Sequence, residues 1–540
     1  MTLTLIIIAV LISAIRLYPD FNHIVQIQVE KHLSQSFDTQ VSIGSLQVSH
    51  KRPFSELVAE HVSIIPARQE AHAWGLDRIE IRLDLLSSLF TRQLKLKRIT
   101  LVGLDLSLHR DAAGQIHLNH EFPLFGNAGA DNNQLFNSYI SLLQSKIRWS
   151  DAISGADYQF LDVSALLASS ASKMELSLSA QLPERLGKTI NLQARINGGL
   201  SALQEAKIKF YADLQHIQID EISQYLPANY EFQTQATIAM RAWGEYDQGQ
   251  LTVMQGSINM EHLQDRDEYI NPTVCLSEQV IEAVSLDYQL TSQNDEWLLL
   301  ADNIDTRFNS ASSHNGSEQK LSIRVNAGSA ETHDISLYIS TLNLGAICNT
   351  LHGYRPAYIQ YHLQGIRAHA LLDDLVVHLK HSNDQITAFQ YAGRFHDAML
   401  WDVSGNKKIS GLSGSLSGGD NGGQVFLNSQ QVEFNFPQLY PDEALQVALT
   451  GNLEWQHHTD KHLIQTELVR IENDDLAIDM RFTALLDNEE IYSDAQLFIT
   501  RAKASELNRY LPALQQIRRT KSWFADAVEP AFSASDLLQC

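Results

Sequence analysis

RIEIRLDLLSSLFTRQLKLKRITLVGLDLSLHRDAAGQIHL, residues 78–118, is the stretch on which the fold turns. Ile79, Ile81, Leu83 and Leu85 alternate with Arg78, Glu80, Arg82 and Asp84, the period of two that gives a strand one apolar and one polar face. Leu94 and Leu96 lead into Ile99 and Leu101. After Val102-Gly103 the phase shifts to Leu104, Leu106 and Leu108, and a glycine at a phase shift is what a β-bulge requires. Asp111 to Gly114 supplies a turn, and Ile116 and Leu118 open the next strand.

The same grammar runs outward in both directions. Leu176, Leu178, Ala180 and Leu182 alternate with polar residues, Pro183 to Lys188 turns the chain, and Ile190, Leu192, Ala194 and Ile196 alternate again before Asn197-Gly198-Gly199. Such pairs read as hairpins of an antiparallel sheet with one wet face. Upstream, Val41 and Ile43 are followed by Leu46 and Val48, with Gly44 between the pairs as a turn or bulge. Before them Phe21, Val25, Val29 and Leu33 recur every four residues, the spacing of a helix over residues 19–38.

Met1 to Ile15 carries no charged side chain. Extended to Tyr18, the segment would be about 27 Å long as a helix, against a hydrocarbon core of roughly 30 Å. Arg16 is placed to snorkel, Tyr18 to sit at the interface and Pro19 to end the helix, so residues 1–18 read as a transmembrane anchor. A cleaved signal peptide at Ser13-Ala14, which would put Ile12 at position −3, and a buried core helix are the rival readings.

A strand ending in a short helical tail recurs as LQHIQIDEISQYLP from Leu214, ISTLNLGAICNTL from Ile339 and ITRAKASELNRYLP from Ile499. The intervals are unequal and each exceeds about a hundred residues, too long for a short-period solenoid. Large modules at residues 39–230, 231–355 and 356–515 follow, with 516–540 as a helix start and an atypical end. GSLSGGDNGG, residues 414–423, reads as a long exposed hairpin loop, or else a hinge between modules.

Composition narrows the function classes. The 540 residues hold 40 Lys plus Arg against 63 Asp plus Glu, a net charge of −23 that repels a nucleic-acid backbone. Cys275, Cys348 and Cys540 form no C-x-x-C pair, which leaves no zinc motif and leaves a Cys275–Cys348 bridge open in an oxidising compartment. Nucleophile elbows, P-loops and H-E-x-x-H helices are absent from the sequence, so neither a catalytic residue nor a cofactor is expected. His457-His458 with His462 reads as a solvated strand end rather than a metal site, and Asp474-Asp475 as a turn rather than a calcium loop. What remains is the apolar face itself, with Ile79, Ile81, Leu83, Leu176, Leu178, Leu182, Ile190, Leu192 and Ile196 as candidate lining. Alternation alone fits both a closed sandwich and an open groove.

The run VEKHLSQSFDTQVSIGSLQV, residues 29–48, followed by residues 78–118, resembles the N-terminal signature of the AsmA-like superfamily, including an L-x-R-D-x-x-G turn at Leu108, Arg110, Asp111 and Gly114. IRWSDAISG at 147–155, LDVSALL at 161–167, residues 176–200 and the YLP tails are similar to the YhdP type within it, over roughly residues 20–525. The resemblance implies a mainly β fold: an N-terminal transmembrane helix, then a long, curved antiparallel β-sheet groove of bridge-like architecture with a few short helices. It also implies a single-pass inner-membrane protein with its bulk in the periplasm. Phospholipid acyl chains would pass along the groove between inner and outer membranes, with the inner membrane and other envelope proteins as partners. A structural scaffold that closes its sheet into a sandwich and binds envelope proteins is the alternative. Chains of that type run longer, and after SWFADA at 522–527 this sequence departs from the strand they would continue with, so the resemblance implies a chain that stops short.

Overall fold

The computed structural model describes scattered positions between 23 and 34 and most of 39–512; residues 1–22, 67–73, 84–95, 119–138, 198–205, 224–233, 266–280, 309–318, 345–365 and 513–540, with some shorter turns, lie outside the described residues. The anchor, all three cysteines and the C-terminal segment therefore fall outside the description. Among the described residues no helix is long and apolar enough to cross a membrane. The described chain is mainly β and divides into two compact units, 1–232 with 237–257 and 233–236 with 258–540.

In the first unit β1 (Thr39–Lys51), β2 (Phe54–Pro66), β3 (Trp74–Leu83) and β4 (Leu96–Val102) pair antiparallel in chain order. The phase shift foreseen at Gly103 is a break between strands: φ is +71° there, and the chain resumes as β5 (Asp105–Arg110). β6 (Ile116–Leu118) pairs β5 antiparallel, whereas β4 and β5 both lie parallel to β7 (Tyr139–Asp151). Among the described pairings the sheet is thus antiparallel except at this junction. Parallel neighbours need a crossover rather than a tight turn, and local alternation carries no trace of it.

From β7 the meander continues through β8 (Asp157–Ser169), β9 (Lys173–Gln181), β10 (Thr189–Asn197), β11 (Lys207–Gln218) and β12 (Thr234–Asp247), each antiparallel to the next. β13 (Gln250–Asp265) crosses the division between units. The buried core lies at the β1–β4 end, where Val41, Ile43, Val62, Leu76, Ile99 and Leu104 pack together.

The second unit holds β14 (Ile281–Gln293), β15 (Glu296–Phe308), β16 (Gln319–Ser329), β17 (Thr332–Asn343), β18 (Ile366–Ser382), β19 (Gln385–Asp402), β20 (Lys408–Gly419), β21 (Gly422–Asn435), β22 (Leu445–His458), β23 (Lys461–Glu472), β24 (Leu476–Asp487) and β25 (Glu490–Ala502). Each pairs its successor antiparallel. Left-handed residues Gln144, Asp162, His216, Asn303, Asp374 and Asp397 sit at shifts of register, where a bulge bends the strand.

The glycine-rich run 414–423 is not a loop. Gly414 and Gly418 lie inside β20 and Gly422 and Gly423 inside β21, leaving Asp420-Asn421 as a tight turn. Two helical tails are described: α1 (Ile219–Ser223) after β11, and a 3-10 turn (Ala504–Glu506) leading into α2 (Leu507–Tyr510) after β25.

Candidate functional site

Residues directly opposite each other on neighbouring strands share a face of the sheet. Followed from strand to strand, this links Leu46, Ala59, Ile79, Leu101, Leu142, Ala165, Leu178, Leu192, Ala212 and Ala242 into one row across the first unit. Two residues along each strand, a second row links Val48, Leu57, Ile81, Ile99, Ile140, Leu167, Leu176, Ala194, Phe210 and Gly244. No polar side chain interrupts either row. The parallel junction preserves them, because Leu101 meets Leu142 and Ile99 meets Ile140 across it.

Over β7–β11 these rows floor a trough of about 670 Å³, lined by Leu142, Leu167, Leu176, Leu178, Leu192 and Phe210. A second hollow of about 400 Å³ shares Leu178 with it and extends past Leu182 and Ile190 to Trp149, Leu186 and Ile222. Exposure along β9 distinguishes an open trough from a closed sandwich. Met174 is 3% exposed and Ala180 8%, but Leu176 and Leu178 between them are 39% and 36% exposed. A second sheet packed face to face would bury the middle of the strand at least as deeply as its ends. Here the margins are closed and the centre is open.

One margin is made by Met174, Ile196 and Ala206 with Leu167 and Ile208 against them. At the other, α1 and the turn before β10 fold over the sheet, bringing Ile222 and Leu186 to the second hollow. Arg185 holds that cover in place through Glu221 at 2.7 Å, and the Tyr158 hydroxyl reaches the same carboxylate at 3.4 Å. The opposite face is polar: Lys207 and Lys209 grip Glu245 at 2.8 and 2.7 Å, and these two bonds hold its carboxyl down at about 2.

Of the residues foreseen in sequence, Leu176, Leu178 and Leu192 line the larger hollow, and Leu178, Leu182 and Ile190 the smaller. Ile196 is buried in the margin. Ile79 and Ile81 belong to the same two rows on β3, where Ile79 packs against the buried core. Leu83 pairs with Leu96, and its side chain lies outside the description. Phe210, Leu142 and Leu101 are not among the candidate lining residues read from the sequence; each sits in a strand, but only the pairing brings them to the trough.

The second unit builds the same kind of surface. Leu290, Leu299, Ile323, Leu337, Val377, Tyr391, Gly418, Gly423, Trp455 and Ile464 form one row of partners. His457 and His462 face each other across β22 and β23, Nδ1 to Nδ1 2.8 Å with rings stacked at 4.5 Å. Among the described residues no cluster of three His, Cys, Asp or Glu side chains could hold a metal ion. Asp475 belongs to the turn between β23 and β24, as foreseen, and there takes the Lys503 ammonium at 2.7 Å.

A family model described as YhdP protein matches residues 1–532. No curated protein and no solved structure matches the chain.

Proposed function

This chain belongs to the YhdP family, and we propose that its apolar sheet face carries phospholipid acyl chains between inner and outer membranes, contributing to outer-membrane homeostasis. In this reading the N-terminal segment anchors the chain in the inner membrane and the sheets stand in the periplasm. The observation that carries it is the half-exposed centre of β9, Leu176 and Leu178, inside rows of apolar side chains unbroken from β1 to β12.

An acyl chain has no hydrogen-bonding group to satisfy, so a leucine floor serves it as a bilayer does. Each methylene left in water costs about 0.8 kcal/mol. A gap of three or four methylenes would therefore cost roughly 3 kcal/mol, a more than hundredfold loss of occupancy at that point. Continuity of the rows, rather than any one residue, is what such a conduit needs, and no step in it calls for a catalytic group.

Photocrosslinkers placed at Leu178 and Leu192, with outward Ser179 and its partner Asn191 as controls, test this in the intact envelope. Lipid adducts at the inward pair alone are expected. Protein adducts with no lipid at any inward position would replace the conduit by a scaffold that binds envelope proteins.

A further inference from the structure

The second hollow of the first unit is built differently from the trough beside it. A plain meander offers one open apolar face, but three departures from the meander meet here and close it. The parallel junction brings Leu108 on β5 and Trp149 on β7 to the hollow, the turn before β10 brings Leu186, and α1 brings Ile222. The turn is fixed to β11 by its backbone: the Gln218 amide donates to the Leu186 carbonyl at 3.0 Å and the Lys188 amide to the Gln215 carbonyl at 3.0 Å. Gly187 allows that approach, since a Cβ there would come within 2.7 Å of the His216 carbonyl oxygen. Arg185 then ties α1 to the same turn through Glu221.

Folding leaves few voids in an apolar interior, and each one costs stability. A space of about 400 Å³ is nevertheless left here, with Ala180 in its lining where a larger apolar residue would help to fill it. Apart from Trp149 and Tyr158 the lining residues carry only hydrocarbon, and the Tyr158 hydroxyl is turned to Glu221. A phosphate or glycerol group, with several oxygens to satisfy, would give up its water there for at most an indole N–H, which is costly. An apolar cavity of about 150 Å³ takes one benzene. By that measure this hollow takes roughly sixteen carbons, one acyl chain and not two.

We infer that the second hollow is a tail pocket, in which an acyl chain leaves the row at Leu178 and seats its methyl end beneath α1, among Trp149, Leu186 and Ile222. This rests on the conduit reading and adds to it a place where a lipid is held rather than passed along. Leu178 lines both hollows and gives the chain its way in. Arg185 and Glu221 are positioning residues, because they hold the cover and lie outside the lining.

The full chain, mixed with phosphatidylethanolamine vesicles, provides the test. The acyl chains carry a vicinal dibromide near the methyl end in one set of vesicles and near the carboxyl end in another, and bromine quenches only indole rings that it touches. Trp149 emission is read as the difference between the parent and Trp149→Phe. That difference is expected to shrink several-fold with methyl-end bromine and to stay as it is with carboxyl-end bromine. Glu221→Gln, which frees α1, is expected to cut the methyl-end quenching several-fold while lipid adducts from a photocrosslinker at Leu192 persist. Should Trp149→Phe not fold, a photocrosslinker at Ile222 decides, with adducts on the terminal carbons of the chain expected. No methyl-end quenching of Trp149, equal quenching by both bromine positions, or no such adducts at Ile222, alongside lipid adducts at Leu192, overturns the tail pocket and leaves the conduit standing. Absence of lipid adducts at Leu178 and Leu192 alike overturns the conduit and the pocket with it.

Discussion

The guanidinium of Arg110 on β5 clasps the fully buried carboxylate of Asp151 on the parallel strand β7, its Nε donating to Oδ1 at 2.8 Å and its Nη2 to Oδ2. Asp151 also accepts from the Ile153 amide at 3.0 Å and the Ser154 hydroxyl at 2.7 Å. Arg110 comes from the R-D-x-x-G turn and Asp151 from IRWSDAISG, so two motifs distant in sequence meet in one ion pair that locks the only described parallel junction. The hydrogen bond from Arg110, opposed by burial, holds the Asp151 carboxyl far below the usual carboxylate range. A depressed carboxylate stabilises the fold above its unfolded pKa, about 3.9, and the contribution is lost only as pH falls through the depressed value. Asp151→Asn should lower the midpoint of thermal unfolding by several degrees at pH 7, with the gap between parent and variant closing in strong acid.

Gly103 stands between β4 and β5 with φ at +71° and its Cα turned against the Asp77 carboxylate, which an added Cβ would strike. Gly103→Ala meets both a left-handed backbone and a clash, and should cost about 1–2 kcal/mol from the backbone alone. Urea unfolding would show a lower midpoint at unchanged slope. Adding Asp77→Ala should recover most of the steric part, since its Cβ stays 2.9 Å from the new one, and leave the backbone part.

The outer edge of β1 is met by polar side chains from helical positions rather than by another strand. Gln26 donates to the Ile43 carbonyl at 2.6 Å, Glu30 accepts from the Ile43 amide at 2.7 Å, and Ser34 accepts from the Val41 amide at 3.0 Å. An open strand edge is a template for pairing with other chains, and this helix blunts it. Glu30→Ala should speed hydrogen exchange at the Ile43 amide at least tenfold while amides in β2 keep their protection. The triple Ala variant at 26, 30 and 34 should also self-associate, visible as a larger species in light scattering.

The last helical tail is tied down by the turn at Asn473–Leu476. Lys503 reaches Asp475 at 2.7 Å, the Asn473 amide donates to the Tyr510 hydroxyl at 2.9 Å, and Tyr510 donates to Asp475 at 3.3 Å. The Lys503 hydrogen bond lowers the Asp475 pKa, and the same bond raises that of Lys503. The Asp475 contribution is present above the usual carboxylate pKa and lost in acid; the Lys503 contribution is present below the usual lysine pKa and lost as pH rises through the raised value. Protease cleavage near residue 510 should therefore be slow and level between about pH 4 and 10 and faster outside it. Asn473→Ala should speed it several-fold throughout.

A charge on the trough floor separates transport from folding. Leu178 is 36% exposed, so Leu178→Asp can keep its carboxylate hydrated and should leave the thermal midpoint within a few degrees. Lipid adducts from a crosslinker at Leu192, its partner on β10, should fall at least tenfold.

Alternation made the strands legible around Ile79 and Leu178, since a period of two needs no knowledge of partners. The choice of partners did not show, because nothing in residues 105–110 announces a parallel neighbour at 146–151. Glycines were legible where they turn the chain, as at Gly103, and misleading where they lie inside strands: Gly418 and Gly423 look like loop residues until β20 and β21 are paired through them. The polar face of the N-terminal helix was hidden for a similar reason, as Gln26 and Glu30 read as solvent-facing until a strand edge stands opposite. Whether the apolar face was open or covered depended on exposure at Leu176 and Leu178, which no pattern of residue types encodes.

The rows of partners draw one residue from each strand, so a row is as long as the strands are many. Neighbouring strands are about 4.8 Å apart. Within either unit, then, gaining or losing one complete hairpin alters reach by about 9.6 Å and leaves the cross-section and the register of every remaining pair as they were. Length is thereby a digital quantity, counted in hairpins, and can change without redesigning any wall; the parallel junction of β4 and β5 with β7, where Arg110 on β5 clamps Asp151, is the place among the described residues that resists such editing.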